Sequence, residues 1–178
     1  MTQEQQATAE LGVNLGQLRG LMGAIEEEPE VGKTVWKASS VWKKGDGFRS
    51  VAHINEHEIA MDEPEALGGS ATAPNMVEMV LGAYGCCLTT GYVLNASLRG
   101  IELENVQIEL DADLDLNGFL DIKEDTFAGY TDVRAKVRLT APTANPEELQ
   151  ALHEQVTRTS PVGDILSRPM NVVAELEE

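Results

Sequence analysis

The chain has 178 residues and carries 13 Lys and Arg against 30 Asp and Glu, a formal net charge of −17. Binding to phosphate backbones and to anionic lipid both draw on clustered Lys and Arg, so nucleic acid and membrane are disfavoured as partners. The hydrophobic fraction of 42% is too high for a disordered chain, and the length is that of one domain or of two small ones sharing a core.

At the N-terminus, Met1-Thr2-Gln3-Glu4-Gln5-Gln6 has neither the basic nor the apolar region of an export signal, so a cytoplasmic location is expected. Within residues 9–28, Leu11, Leu15, Leu18, Met22 and Ile25 form one stripe at helical spacing. Gly12, Gly16, Gly20 and Gly23 interrupt it, each costing ~1 kcal/mol relative to Ala, so this helix needs a docking surface. Glu26-Glu27-Glu28-Pro29 is a stop and a solvated linker, separating an N-terminal helical extension (1–33) from a main domain (34–178). Val35–Val41 and Phe48–Ile54 are rich in strand formers on either side of Lys43-Lys44-Gly45-Asp46-Gly47, a hairpin turn. A short third strand is expected at Glu58–Met61, followed by a Pro- and Gly-dense loop over 62–70.

Met79 to Leu98 is a run of twenty residues without a charge, bracketed by Glu78 and Arg99. Its length alone suits a membrane span of ~20 residues. However, Thr89, Thr90, Asn95, Ser97 and three glycines lie inside it, and the flanking segments read as soluble strands. A helix apolar all round and outside lipid is buried on all sides. The expectation is a central helix wrapped by sheet and completed by a second copy of the chain. After Gly100, Val106, Ile108, Leu110, Ala112, Leu114 and Leu116 alternate with Gln107, Glu109, Asp111, Asp113 and Asp115. Thr131, Val133, Ala135, Val137 and Leu139 alternate likewise with Asp132, Arg134, Lys136 and Arg138. Paired as a hairpin, the two strands set an acidic stripe against a basic one. Asn145-Pro146-Glu147-Glu148 opens a helix, with Asn as N-cap, Pro at N1 and Glu at N3. A short segment around Pro161–Leu166 follows, and Met170–Leu176 reads as a closing strand. The fold class is α+β.

Asp113-x-Asp115-x-Asn117-Gly118, then five residues and Glu124, fits the calcium-loop pattern. Its context does not, because Val106 to Leu116 runs at period two and no exiting helix follows, so no metal site is assigned. His53 and His57 stand at a ligand spacing for a helix, but they fall on or beside a strand with no third ligand near. Neither a phosphate-cradling glycine loop nor a Ser/His/Asp arrangement stands out.

The adjacent Cys86 and Cys87 cannot form the spaced disulfide framework of a small secreted domain. A buried cysteine is by default a small hydrophobe, but the surrounding segment gives this pair more weight. Asn75-Met76-Val77-Glu78-Met79-Val80-Leu81-Gly82-Ala83-Tyr84-Gly85-Cys86-Cys87-Leu88-Thr89-Thr90 resembles the central-helix motif of the OsmC/Ohr family, the osmotically inducible and organic-hydroperoxide-resistance proteins. Asp62-Glu63-Pro64 with Gly68-Gly69, Arg99-Gly100-Ile101, Asp113-Leu114-Asp115-Leu116-x-Gly118-Phe119-Leu120 and Ser160-Pro161-Val162 match in the same order. The resemblance covers roughly residues 35–176.

It implies an OsmC-like fold, an intertwined homodimer with the active site at the subunit interface, and a thiol-dependent peroxidase needing no metal or flavin. Its small-molecule partners would be a hydroperoxide and a thiol reductant. Registration from Asn75 places the reactive cysteine on Cys87, with Cys86 secondary. Peroxide is cleaved by thiolate, while an apolar setting and an acidic chain both disfavour that anion, so a cation is required. Arg49 is the candidate, and Glu78 the carboxylate to orient it, although nine residues at ~100° put Glu78 on the helix face opposite Cys87. Ser160 stands where two-cysteine members carry a resolving thiol. Vicinal cysteines in a helix point ~100° apart, so Cys86 is a poor substitute. The cycle implied is therefore of the one-cysteine type, with Tyr84 and Leu88 lining an apolar entrance. The alternatives are a non-catalytic dimeric ligand-binding relative and a redox sensor.

Overall fold

The computed structural model describes residues 12–177, so Leu11, the first residue of the N-terminal stripe, lies outside the described residues. The chain divides into two compact units, one of Asn14–Gly82 and one running from Ala83 to the C-terminus. In the first, helix α1 (Leu15–Glu27) is capped by Asn14, whose Oδ1 accepts from the Gln17 amide at 3.0 Å. A 3-10 turn at Pro29–Gly32 ends it at the expected proline. Strands β1 (Ser39–Val41), β2 (Ser50–Ile54) and β3 (His57–Met61) form an antiparallel sheet in that order.

Strand β1 is shorter than the Val35–Val41 expected. Ser39 pairs with His53, and β2 ends at Ile54, where Asn55 turns the chain at φ 53°. Residues upstream of Ala38 have no strand to pair with among the described residues, and Val35 and Trp36 stand 85% and 84% exposed. After β3, the loop folds around the buried Asp62. This carboxylate accepts from the amides of Glu63 (2.8 Å), Ser70 (3.3 Å) and Thr72 (3.1 Å), and from the Thr72 hydroxyl (2.9 Å). Those bonds, the Thr72 amide foremost, hold its carboxyl below the usual range. Gly69 is required here, since a Cβ on it would lie 1.9 Å from the Glu63 carbonyl oxygen.

Helix α2 (Met76–Arg99) is the long uncharged segment. Its C-terminal half enters the core of the second unit. Leu88, Tyr92 and Ala96 pack with Ile101, Leu103, Leu152 and Val156, flanked by Val106, Ile108, Val137 and Leu139 of the sheet. Burial all round the helix, expected from its composition, is not reached within one chain: Met76, Val80, Ala83, Cys86 and Thr90 remain exposed. Strands β4 (Asn105–Leu114) and β5 (Tyr130–Thr140) form the expected antiparallel hairpin, with Glu109 opposite Lys136 and Asp111 opposite Arg134. Arg134 bridges Asp111 and Asp113, each at 2.5 Å, and Arg138 reaches Glu109 at 2.5 Å. A register shift at Asp113/Leu114 takes Thr131 out of the inward-facing set.

The centre of the calcium-like run lies just past the end of β4. Asp113 is paired with Arg134, Asp115 caps the short helix α3 (Leu116–Phe119), and its Oδ1 accepts from the Asn117 amide at 2.9 Å. Helix α4 (Pro146–Thr159) opens on the capping box read from Asn145 and Glu148, and helix α5 (Pro161–Ser167) follows directly. Met170–Leu176 is not a strand. It has no ladder partner among the described residues, and Val172, Val173 and Leu176 are 80%, 69% and 96% exposed. Alternating apolar residues form a strand only where another backbone supplies the hydrogen bonds.

Candidate functional site

Cys87 lies on α2, three residues after Tyr84 and one before the core residue Leu88. It is half-buried, Cys86 is exposed, and both are free thiols. The ~100° step between neighbours on a helix separates them. Cys87 Sγ lies 3.3 Å from Ser160 Oγ. Ser160 ends α4 and begins α5, and is only 4% exposed. Its Oγ accepts the Gly163 amide proton at 3.1 Å. Gly163 is held tightly, since a Cβ on it would sit 3.1 Å from the Tyr84 ring and 3.2 Å from Ser160 Oγ. Gly163 and Tyr84 also line a cleft of about 320 Å³ with Tyr130, Asp132, Leu166 and Ser167 among others; neither Cys87 nor Ser160 is part of its wall.

The sequence-derived candidates are thus distributed unevenly. Cys87, Ser160 and Tyr84 come together. Leu88 is 1% exposed and belongs to the core rather than to an entrance. Glu78 forms a capping box with Asn75: its amide donates to Asn75 Oδ1 at 2.8 Å, and its Oε2 accepts the Asn75 amide at 2.9 Å. Arg49 lies in the 14–82 unit on a groove shared with Lys43, Asp46, His53 and Glu58. It is exposed and makes no ion pair among the described residues. His53 faces Glu58 across the β2–β3 hairpin at 3.4 Å.

Sequence reasoning missed the polar contacts that tie α4 to α2. Tyr92 is fully buried, and its hydroxyl lies 2.5 Å from His153 Nδ1, with the two rings stacked at 6.2 Å. Burial, with the neighbouring Tyr84 adding to it, pushes the Tyr92 hydroxyl up to about 12, so it stays protonated. Further along, Gln155 Nε2 donates to Asn95 Oδ1 at 2.7 Å, and Arg99 donates to Gln155 Oε1. Between these contacts a Cβ on Gly91 would meet Val156 Cγ1 at 2.8 Å, so the two helices approach closely there. The available signal was the presence of Tyr92 and Asn95 in an otherwise apolar run, because buried polar side chains find partners.

These features define an α+β protein whose long helix presents a half-buried thiol to a buried hydroxyl. The chain belongs to the OsmC-like protein family, whose model matches residues 68–175, more than half of its length. No curated protein matches it. Among solved structures it is similar to the OsmC-like protein of Mycoplasma pneumoniae, with a TM-score of 0.64 at 14% identity, covering 75% of this chain and 88% of that one. An organic hydroperoxide resistance protein OsmC from Legionella pneumophila aligns with a TM-score of 0.56 at 18% identity, covering 76% and 92%. A putative organic hydroperoxide resistance protein from Vibrio cholerae, with captopril bound in one of its active sites, gives 0.54 at 16% identity, covering 76% and 87%. At these identities the likeness is one of fold.

Proposed function

We propose that this chain is a thiol-dependent peroxidase that reduces organic hydroperoxides through a single reactive cysteine, Cys87, in the cytoplasm. The observation that carries this reading is the half-buried Cys87 thiol in contact with Ser160, whose neighbour Gly163 lines a cleft together with Tyr84. Family membership and the printed names of the Legionella and Vibrio relatives support the choice of substrate class.

In the cycle, the Cys87 thiolate attacks one peroxide oxygen, the O–O bond breaks, and the alkoxide leaves as an alcohol after taking a proton. The resulting sulfenic acid condenses with an external thiol to give a mixed disulfide and water. A second thiol releases Cys87 and leaves as the oxidised reductant. Ser160 cannot form a disulfide, so resolution comes from outside the chain. The active species is a homodimer. In support, Met76, Val80, Ala83, Cys86 and Thr90 form a small and apolar exposed stripe on α2, at the spacing of one helix face. Arg49, exposed and without a carboxylate partner among the described residues, is the cation offered to the thiolate in that assembly.

The test is turnover of cumene hydroperoxide with a thiol reductant. Cys87→Ser is expected to abolish it, while Cys86→Ser retains it. Full turnover by Cys87→Ser would refute the assignment. Arg49→Ala is expected to slow the peroxide step at least tenfold, and to do so without changing the thermal midpoint.

A further inference from the structure

Resting on the reading of Cys87 as the reactive thiol, we infer that Ser160 is a positioning residue whose hydroxyl donates its proton to Cys87 Sγ and holds that sulfur as an acceptor. A hydroxyl has one proton to donate and two lone pairs that accept. The Gly163 amide occupies one lone pair of Ser160 Oγ at 3.1 Å, which leaves the proton to be placed. Ser160 is almost wholly buried, so water is not the receiver, and a buried donor left without an acceptor is costly. Cys87 Sγ at 3.3 Å is the side-chain atom within reach. Were Cys87 S–H to donate instead, the Ser160 proton would have no acceptor among the described residues. The order along the chain of bonds is therefore Gly163 N–H to Ser160 Oγ, and Ser160 Oγ–H to Cys87 Sγ.

Hydrogen bonds to an ionised acceptor are stronger than those to a neutral one. The contact thus favours the sulfur in its anionic, nucleophilic form over the thiol, and it fixes the direction in which the free sulfur lone pair faces. The same hydroxyl remains beside the sulfur once it is oxidised, where a second cysteine would have closed a disulfide. Ser160 acts through its contact with Cys87.

The experiment is the pH profile of Cys87 alkylation by iodoacetamide, run in a Cys86→Ala background so that one thiol remains. The hydroxyl-free variants are Ser160→Ala and Ser160→Gly, the latter tolerated at a helix N-cap. The profile is expected to move up by about one pH unit in both, a tenfold loss of rate below the midpoint. Ser160→Thr, which keeps the hydroxyl, restores it. A profile that superimposes on that of the parent, in variants with native circular dichroism, overturns the inference. Alkylation needs no peroxide, so the two readings fail separately. A shifted profile with no peroxide turnover in any variant removes the peroxidase reading and leaves the role of Ser160. Turnover with an unshifted profile does the reverse.

Discussion

Replacing Ser160 by Cys tests the site geometry through covalent chemistry. The Sγ–Oγ separation is 3.3 Å, and a disulfide needs ~2.05 Å. The longer C–S bond of the new side chain supplies part of that approach. The two positions are 73 residues apart, and the chain-entropy relation for a loop of that size gives about 4 kcal/mol of stabilisation. Loss of the serine cap on the Gly163 amide offsets about 1 kcal/mol of it. The net of about 3 kcal/mol corresponds to a rise of ~6–12 °C in thermal midpoint for a chain of this length. The assay is a thermal melt of Ser160→Cys in the Cys86→Ala background, oxidised and then reduced, with thiol titration of both samples. The expected result is no free thiol and the higher midpoint when oxidised, both reversed by reductant. Two free thiols persisting after oxidation would mean that Cys87 and residue 160 do not face one another in solution.

Gly69→Ala is expected to open the loop around Asp62, because its Cβ would fall on the Glu63 carbonyl. Hydrogen exchange at the Ser70 and Thr72 amides should accelerate, and equal protection would contradict the described loop. Asp62 has a lowered folded-state pKa, so its stabilising contribution is complete above the unfolded value of ~3.9 and is lost as pH falls through the lower folded value. Asp62→Asn should therefore lower stability at neutral pH and flatten the acid limb of a stability-against-pH curve measured by urea unfolding; an unchanged acid limb would contradict this. Tyr92→Phe removes the partner of His153 Nδ1 and should cost about 1 kcal/mol by denaturant titration. A neutral result would mean that water takes the place of the hydroxyl.

The elements that could be read locally were those whose signal repeats along a few residues. The β4–β5 hairpin follows from strict alternation, and its opposed acidic and basic stripes with it, whereas the register that sets Asp113 opposite Asp132 and the shift just after that pair have no local signal. The Asn145 cap lies in four consecutive residues, as does the Asn75–Glu78 box. In the latter Glu78 serves its own helix end, while its proximity in sequence to the thiol helix suggests a partner for arginine. Two elements exceeded what local pattern can decide. Val35 and Trp36 have strand composition, but the partner strand ends at Ile54, and Met170–Leu176 has strand alternation with no partner among the described residues. At the site, the Cys87 position came from family registration. The Tyr92–His153 and Asn95–Gln155 contacts join residues 61 and 60 positions apart, for which no periodicity exists.

The links between α2 and α4 bear on how far from the sulfur a damaging change can fall. Ser160 is the residue on which α4 ends, so its distance from Cys87 depends on how far α4 has slid along its neighbour. Tyr92–His153, Gly91–Val156 and Asn95–Gln155 are three teeth that hold α4 at its observed setting. Substitutions at these teeth touch neither thiol nor cleft, yet they would detune the sulfur–hydroxyl spacing and surface in an activity screen as hits remote from the chemistry.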